Sequence, residues 1–432
     1  MDWLLALLAI FNLISMITVF SPRAVPRKAV PWAVFGTALM ATELAWIWLP
    51  LQALLAWGFS LGGALDSGLG NLALFVLVVT WAGLVWSIWQ ATKAADAVEN
   101  GLRSGLGSNY REEIPGERRV RLRQKISFDD WKNPVDWKRP GVEVIKNIPY
   151  GPAGVRQQLD IYRPVVIPEG GCPVVFQIHG GAWMLGDKGS QALPLMYHLA
   201  SKGWICVAAN YRLSPSVSFP THLLDCKKAL CWIRENGGEY GMDTGFVAVT
   251  GGSAGGHLTA LMGLTANRPE LQPDNPDTDT SLQAAVPFYG VYDFLVRYNQ
   301  HPNREVYQKF LTGKVMHQSL DDNPELWELA SPVAQIRADT PPFMVLHGTH
   351  DSLIPVRDGQ VFVEKLREVS AEPVVYTEMP GAEHAWDTIH SLRTEETVDG
   401  VHRFLEWSLA RHKARAAPAE DTTADAEEEV AA

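Results

Sequence analysis

One stretch decides the fold: Val247-Ala248-Val249-Thr250-Gly251-Gly252-Ser253-Ala254-Gly255-Gly256-His257. Its first residues are apolar or β-branched and predict a buried strand, whereas the residues from His257 onward predict a helix. Glycines stand two positions before and two positions after Ser253, as the G-x-S-x-G pattern of a nucleophile elbow requires. Such a turn needs glycine because a serine in strained backbone geometry must not collide with its neighbours. The motif alone also fits a glycine-rich turn without chemistry, so the rest of the chain must decide.

Short apolar runs alternate with helical stretches from about residue 142 to residue 412. Strands are predicted at Gln158–Tyr162 (taken as an edge strand), Val174–Ile178, Trp204–Ala209, Phe246–Thr250, Ala284–Tyr289, Phe343–Leu346 and Val374–Glu378. Helices are predicted at Ala192–Lys202, Thr221–Glu235 and Gln360–Val369. Continuous apolar strands separated by helices indicate an α/β fold, with a mostly parallel sheet covered by helices on both faces. In such sheets, functional residues gather at the carboxyl ends of the strands.

Two glycines follow directly on the strand Val174–Ile178, in the run His179-Gly180-Gly181-Ala182-Trp183. Glycines at the carboxyl end of a strand leave main-chain N–H groups free, and one such donor to a developing oxyanion contributes roughly 3 kcal/mol. Before a G-x-S-x-G motif, this run predicts an oxyanion hole. The candidate donors are Gly180, Gly181, Ala182 and Ala254. His179 comes too early in the chain to be the base and is interpreted as shaping the loop.

A serine hydroxyl needs a base, and the base must be oriented by a third group. In this fold the chain order is serine, then acid, then histidine. Asp351 follows the strand Phe343–Leu346, and His384 follows the last predicted strand. We therefore expect Ser253 to be the nucleophile, His384 the general base and then acid, and Asp351 the orienting carboxylate. Four nearby ionisable residues are expected to pack or to point elsewhere: His347, His350, Glu383 and Asp387.

In combination these motifs resemble those of the α/β-hydrolase esterases and lipases of the hormone-sensitive-lipase-like group. The resemblance also includes Asn210-Tyr211-Arg212-Leu213-Ser214-Pro215 and Gly348-Thr349-His350-Asp351, and it covers roughly residues 142 to 410. It implies hydrolysis of carboxylic esters through an acyl-enzyme, with Gly181, Ala182 and Ala254 as oxyanion donors. With its apolar N-terminal segments, the chain also looks similar to membrane-anchored esterases of the actinobacterial type.

Two positions depart from the pattern of that family. Ala182 stands where a third glycine is common and is followed by Trp183, and this His-Gly-Gly-x-Trp form also occurs in kynurenine formamidases. Gly252 stands where many relatives have aspartate. Both departures bear on the substrate more than on the mechanism, so a formamidase or amidase is an alternative function. A non-catalytic hydrolase-fold membrane protein is a further alternative, against which the intact order of the triad argues.

Three apolar stretches dominate the N-terminal part: Trp3–Phe20, Ala29–Leu61 and Leu69–Ala91. Each is long enough to cross about 30 Å of hydrocarbon as a helix, and the middle one is expected to tilt or to run into the interface. Lys and Arg follow the first and third stretches but not the second. The positive-inside rule therefore predicts an outside N-terminus and a cytoplasmic catalytic domain at the plasma membrane. Glu43 falls mid-span, either as a functional carboxylate or as a protonated or hydrogen-bonded group.

The sequence thus predicts four regions. They are three transmembrane helices at 1–92, a juxtamembrane linker at 93–141, an α/β-hydrolase catalytic domain at 142–412 and a disordered acidic tail at 413–432. The basic cluster in the linker is interpreted as solvated. The stretch Val291–Ala338 carries aromatic residues that look exposed, and it is either a lid that helps build an acyl pocket or a plain pair of connecting helices. These aromatic residues are Phe294, Tyr298, Tyr307, Phe310 and Trp327.

Composition excludes some classes of partner. The formal net charge of -11 argues against general nucleic-acid binding. The four cysteines have no metal-site spacing and are expected to be reduced core residues. We therefore expect no metal and no cofactor. The expected partners are a small-molecule or lipid ester and the membrane, and the sequence does not indicate an oligomeric state.

Overall fold

The structure is a computed structural model and describes residues 1–20 and 31–416. Two predictions fall outside these residues. The basic residues of the first loop, Arg23, Arg27 and Lys28, lie there, as does most of the predicted acidic tail. The predictions for both segments therefore stay predictions.

The described residues fold into helices and one sheet. The helices are α1 (Asp2–Phe20), α2 (Pro31–Glu43), α3 (Ala45–Leu61), α4 (Gly68–Ala91), α5 (Ala94–Leu106), α6 (Gly116–Arg119), α7 (Leu193–Ser201), α8 (Thr221–Asn236), α9 (Ala254–Leu264), α10 (Arg304–Leu311), α11 (Pro324–Leu329), α12 (Val356–Val369) and α13 (Leu392–Ala416). The strands are β1 (Val142–Pro149), β2 (Gln158–Pro164), β3 (Cys172–Ile178), β4 (Ile205–Ala209), β5 (Met242–Gly252), β6 (Ala284–Phe288), β7 (Phe343–Gly348) and β8 (Val374–Met379).

The sheet has eight strands in the order β1-β2-β4-β3-β5-β6-β7-β8. β2 runs antiparallel to β1 and β4, and every later pair is parallel. All residues of β3, β4 and β6 are buried because helices cover both faces of the sheet. The predicted α/β-hydrolase fold is confirmed.

One strand prediction was wrong. The stretch Gln158–Tyr162 was expected at an edge of the sheet, but β2 pairs with both β1 and β4. The edge is taken by β1, whose register shifts between Ile145 and Ile148. This irregularity, together with the polar pair Lys146 and Asn147, breaks the alternation by which a strand is recognised in sequence.

The N-terminal helices form a bundle with an apolar outer surface. Two helices, Asp2–Phe20 and Gly68–Leu106, are long and apolar enough to cross a membrane. The pair Phe35–Glu43 and Ala45–Leu61 would make a third crossing if it is counted as one span, but it is bent by 95°. The middle stretch is therefore a short helix α2 set nearly at right angles to a longer helix α3.

Several polar side chains inside the bundle form hydrogen bonds with one another. Gln52 Nε2 donates to Asn12 Oδ1 at 2.5 Å, and Trp81 Nε1 donates to Gln52 Oε1 at 2.9 Å. At the end of the bundle away from the sheet, Ser67 Oγ donates to Asp2 Oδ2 at 2.8 Å. Such pairing is what polar groups require where lipid offers no hydrogen-bond partner.

Glu43 lies at the bend between α2 and α3 and forms an ion pair with Arg393, near the start of α13. Arg393 Nη1 is 3.1 Å from Glu43 Oε1, and both side chains are fully buried. Ser391 Oγ donates to the other carboxylate oxygen at 2.7 Å. The same guanidinium donates to three main-chain carbonyls, those of Thr42, Ser87 and Pro380. The structure thus places Glu43 at a bend and not in the middle of a straight helix, and this carboxylate joins the bundle to the α/β part of the chain.

The segment interpreted as a solvated linker is folded against the sheet. Helix α5 packs on β8 and on α13. The approach is close, because a Cβ added at Gly105 would lie 2.8 Å from the Cα atom of Val375. Two arginines of the segment form ion pairs with acidic residues of α13: Arg118 with Glu406, and Arg123 with Glu395. The structure thus differs from a solvated linker, and the domain bounds stay predictions.

Replacement of Glu43 by alanine is expected to destabilise the protein by roughly 3 to 5 kcal/mol, because Arg393 would remain buried without its counter-ion. Thermal unfolding of the detergent-solubilised protein measures the effect. The control is Asp129→Ala, which removes an exposed ion pair with Lys132 and should change little. A double variant, Glu43→Leu with Arg393→Met, should recover part of the loss. An unchanged unfolding midpoint in Glu43→Ala would show that the pair does not fasten the bundle.

Candidate active site

Ser253 lies on the turn between β5 and α9. Its backbone has φ 59° and ψ −121°, a strained conformation for a residue with a side chain. A Cβ added at Gly251 would lie 2.4 Å from the carbonyl oxygen of Ile178, and one at Gly255 would lie 2.1 Å from the same atom. The two glycines of the motif are therefore required by close packing against β3.

The loop after β3 lies against this turn. A Cβ added at Gly180 would be 3.1 Å from the Cβ of Ser253. The next residues turn sharply, with φ of 117° at Gly181, 51° at Ala182 and 60° at Trp183. The N–H of Ala254, the first residue of α9, is one of those that a helix leaves without an internal partner. The main-chain N–H groups of this loop and of Ala254 therefore lie at the carboxyl ends of β3 and β5, beside Ser253.

Gly180 differs from the other three candidate oxyanion donors. Its N–H donates to Oε1 of Gln191 at 2.6 Å. A donor already engaged by a side chain is not free to bind a developing oxyanion. Gly181, Ala182 and Ala254 are therefore the better candidates, and Gln191 acts as a support of the loop that sequence reasoning missed.

Trp183 fixes the loop to the helix behind the serine. Its Nε1 donates to Nδ1 of His257 at 3.2 Å, and Nε2 of that histidine lies 2.7 Å from the carbonyl oxygen of Ala330. This pattern assigns the proton of a neutral imidazole to Nε2. Burial lowers the pKa of His257 to about 3, which keeps the ring neutral. The tryptophan of the His-Gly-Gly-x-Trp form thus anchors the loop on α9.

The structure brings Asp351 and His384 together. Nδ1 of His384 lies 2.7 Å from Oδ2 of Asp351, and both residues are buried. The other carboxylate oxygen accepts two main-chain N–H groups, those of Leu353 and Ile354. Burial acts to raise the pKa of Asp351, but the charge of His384 and hydrogen bonds from His347 and His384 outweigh it, so the pKa is lowered. An ionised carboxylate therefore orients the imidazole.

Tyr289 packs against both His384 and the turn that carries Ser253. Its ring centroid is 4.5 Å from that of His384, and a Cβ added at Gly252 would lie 2.4 Å from the tyrosine hydroxyl oxygen. The aspartate common in relatives would not fit at that position. In the described part of the chain, no recorded hydrogen bond joins the Ser253 hydroxyl to His384. Such bonds are often long in free enzymes and shorten when substrate binds.

The two carboxyl groups that flank His384 in sequence contact its surroundings. Asp387 accepts a hydrogen bond from the hydroxyl of Tyr289. Glu383 Oε1 accepts the main-chain N–H groups of Ser352 and His384, each at 2.7 Å. Burial, and secondly the charge of Asp351, raise the pKa of Glu383 to about 8. Their hydrogen bonds thus go to Tyr289 and to main-chain N–H groups, and they hold the loops around the imidazole.

The remaining histidines near the site have distinct environments. His347 is buried behind Asp351, with Nε2 3.3 Å from Oδ2 of that carboxylate. His350 faces the bundle and packs against the rings of Phe20 and Trp86. Buried His179 stacks on Tyr211 with 4.4 Å between ring centroids, which agrees with a role in shaping the loop.

The insertion Val291–Ala338 is more buried than expected. Phe294 and Trp327 are fully buried rather than exposed. Phe294 stacks on His257 at 4.7 Å and meets the ring of Trp183 at 5.4 Å. The insertion therefore supports the oxyanion loop from below, while Tyr298 keeps 41% of its surface exposed.

The cysteines agree with the sequence prediction. Cys172, Cys206, Cys226 and Cys231 are all free and buried. Within residues 1–20 and 31–416, no group of three or more His, Cys, Asp or Glu residues is arranged to hold a metal ion.

The strained turn, the glycine-bearing loop after β3 and the carboxylate-oriented histidine lie at the carboxyl ends of a mostly parallel sheet, and this geometry is that of the α/β-hydrolase class. The model of the BD-FAE family matches residues 159–366. The probable carboxylic ester hydrolase LipM of Mycobacterium tuberculosis is 48% identical over 274 residues, which cover 63% of this chain and 63% of LipM. Esterase LipQ of the same organism is 39% identical over 321 residues, which cover 73% of this chain and 75% of LipQ. Because the match to LipQ spans three quarters of that protein, the chain belongs with it to the α/β-hydrolase esterases.

A solved structure agrees on the fold. Esterase B of Lactobacillus rhamnosis is 23% identical, with a TM-score of 0.54, and the match covers 65% of this chain and 90% of that chain. At this identity the likeness concerns the fold alone. The match to LipM spans less than two thirds of the length of that protein.

Replacement of Gly255 by alanine is expected to lower activity at least 100-fold. The new Cβ would collide with the Ile178 carbonyl oxygen and displace Ser253. The expected loss is about that caused by removal of one oxyanion-hole donor. The rate of labelling by a fluorophosphonate measures the change. Gly238→Ala is the matched control, since nothing lies within 4 Å of a Cβ added there. Equal labelling rates in the two variants would contradict the packing requirement.

The raised pKa of Glu383 predicts a pH effect on stability. Between pH 4.5, the ordinary pKa of a glutamic acid side chain, and a pH of about 8, the folded protein keeps the Glu383 carboxyl group protonated. The unfolded chain releases this proton in the same range. The contribution of Glu383 to the free energy of unfolding therefore falls as pH rises through that window. The slope is at most about 1.4 kcal/mol per pH unit. The Glu383→Gln variant should lack this slope when its thermal unfolding is compared with that of the parent protein between pH 5 and 9. Parallel curves would show that Glu383 is ionised throughout.

Proposed function

We propose that the protein is a membrane-anchored serine hydrolase that cleaves carboxylic esters through an acyl-enzyme. The observation that carries the proposal is the buried 2.7 Å hydrogen bond between His384 and Asp351, on loops at the same edge of the sheet as Ser253. Membership of the esterase family supports the choice of ester bonds. No observed contact favours a formamide substrate, so amide cleavage is kept as an outcome of the test.

In the proposed mechanism, the Ser253 hydroxyl oxygen attacks the carbonyl carbon of the ester while Nε2 of His384 takes the hydroxyl proton. The negative charge on the carbonyl oxygen is stabilised by the N–H groups of Gly181, Ala182 and Ala254. The C–O bond to the alcohol then breaks, and His384 returns the proton to the leaving alkoxide. A water molecule, deprotonated by His384, then attacks the acyl carbon, the bond from that carbon to the Ser253 oxygen breaks, and His384 returns the proton to the serine as the carboxylic acid leaves. Asp351 stabilises the imidazolium in both steps.

The proposed location is the plasma membrane, with three spans and a cytoplasmic catalytic domain. The apolar outer surfaces of α1, α3 and α4 support the spans. The distribution of Lys and Arg supports the orientation, because many basic residues follow α4 and none lies between α3 and α4. In this arrangement α2 lies along the cytoplasmic interface.

Covalent labelling tests the nucleophile. A fluorophosphonate should label the detergent-solubilised full chain, and Ser253→Ala should abolish labelling and lower hydrolysis of p-nitrophenyl esters by a factor on the order of 10⁴ or more. The control is Ser108→Ala, at an exposed serine outside the site. Labelling that persists in Ser253→Ala would overturn the assignment. Labelling without ester hydrolysis would shift the proposal to amide substrates.

A further inference from the structure

Helix α2 lies across the boundary between the bundle and the catalytic part. At one end, the ring of Phe35 lies 6.1 Å from the ring of His384. At the other end, Glu43 is paired with Arg393. The helix therefore runs along the catalytic face from the proposed base to the start of α13, and the buried ion pair fixes it there.

The ends of two neighbouring helices pack on the loops that carry the proposed catalytic residues. Phe20, at the end of α1, and Trp86, near the end of α4, contact His350, which precedes Asp351 in the chain. A Cβ added at Gly381, in the loop that carries His384, would lie 3.0 Å from the Cβ of Gln90 on α4. The bundle thus forms the wall of the site on the side of the histidine.

That wall is continuous with the apolar outer surface of the bundle. Phe20 keeps 45% of its surface exposed while it contacts His350, and Met40 on α2 keeps 42%. Most large exposed side chains in the described part of the bundle are apolar, among them Leu54, Leu61, Leu72 and Phe75. A surface of this kind is placed in hydrocarbon. Phe35, the ring beside the proposed base, lies on the same helix as the exposed Met40.

We propose that the acyl chain of the substrate enters the site from the bilayer, beside α2 and against Phe35, so that the preferred substrates are long-chain esters resident in the membrane. This inference rests on the proposed function of the same site. Transfer of an apolar acyl chain through water is unfavourable, and an apolar path along α2 avoids it. The aromatic rings of Phe35 and Phe20 offer the surface along which the chain would pass.

The experiment uses the full chain reconstituted in phosphatidylcholine vesicles. Two esters of one fluorogenic alcohol are compared: 4-methylumbelliferyl butyrate supplied from water, and 4-methylumbelliferyl palmitate incorporated in the same vesicles. In Phe35→Ala, the ratio of kcat/KM for palmitate to that for butyrate should fall about ten-fold, as expected for loss of one aromatic contact. Phe75→Ala, which removes a lipid-facing ring from α4, is the matched control and should leave the ratio unchanged. An unchanged ratio in Phe35→Ala would overturn the entry path.

A second measurement does not depend on a variant. Palmitate ester should be hydrolysed when it shares vesicles with the enzyme, at a rate that follows its mole fraction in the bilayer, and slowly when it resides in separate vesicles. Equal rates in the two arrangements would overturn entry from the bilayer. The Ser253→Ala variant distinguishes failure of this inference from failure of the proposed function. If the variant loses both ester activities, the proposed function stands, whichever way the palmitate ester reaches the site. Serine-independent hydrolysis of both esters would instead overturn the proposed function.

Discussion

The carbonyl oxygen of Ile178 approaches the turn of Ser253 so closely that no side chain fits at Gly251 or Gly255. This single packing constraint joins the end of β3 to the end of β5. Because the oxyanion loop follows Ile178 directly, the same contact fixes the distance between the candidate donors and the serine. Trp183 and His257 then hold the far side of the loop on α9. The site is therefore positioned by main-chain packing first and by side-chain hydrogen bonds second.

Two carboxyl groups near His384 have opposite protonation because their partners differ. Asp351 accepts hydrogen bonds from histidines and main-chain N–H groups, and its pKa is lowered. Glu383 is also buried but lies near that charge, and its pKa is raised. A negative charge on Glu383 would repel the negative charge on Asp351. Because the two pKa values are shifted in opposite directions, Asp351 carries the charge that stabilises an imidazolium, while the neutral Glu383 holds the loop.

The sequence allowed the strands, the elbow, the oxyanion loop and the order of Ser253, Asp351 and His384 to be predicted, because local periodicity and glycine placement determine them. It did not reveal the partner of Glu43, since Arg393 lies more than half the chain away. It also missed the burial of Phe294, which lies in an irregular segment without periodicity, and the docking of α5, because a helix with an apolar face looks the same whether that face meets solvent or a sheet. Burial depends on tertiary contacts, and no alternation within one segment encodes them.

Helix α5 follows α4, the last of the apolar N-terminal helices, almost directly, yet it covers β8, the final strand of the sheet. During synthesis α5 emerges long before β8 and α13, its two packing partners. Gly101 and Gly105, which pack closely against β8, cannot make these contacts until β8 has been synthesised. Contacts between such distant segments close slowly. The α/β part consequently completes its folding only after α13 has been translated, when the N-terminal helices have long been made. A ribosome-bound chain that stops before β8 would present an uncovered apolar helix face to chaperones.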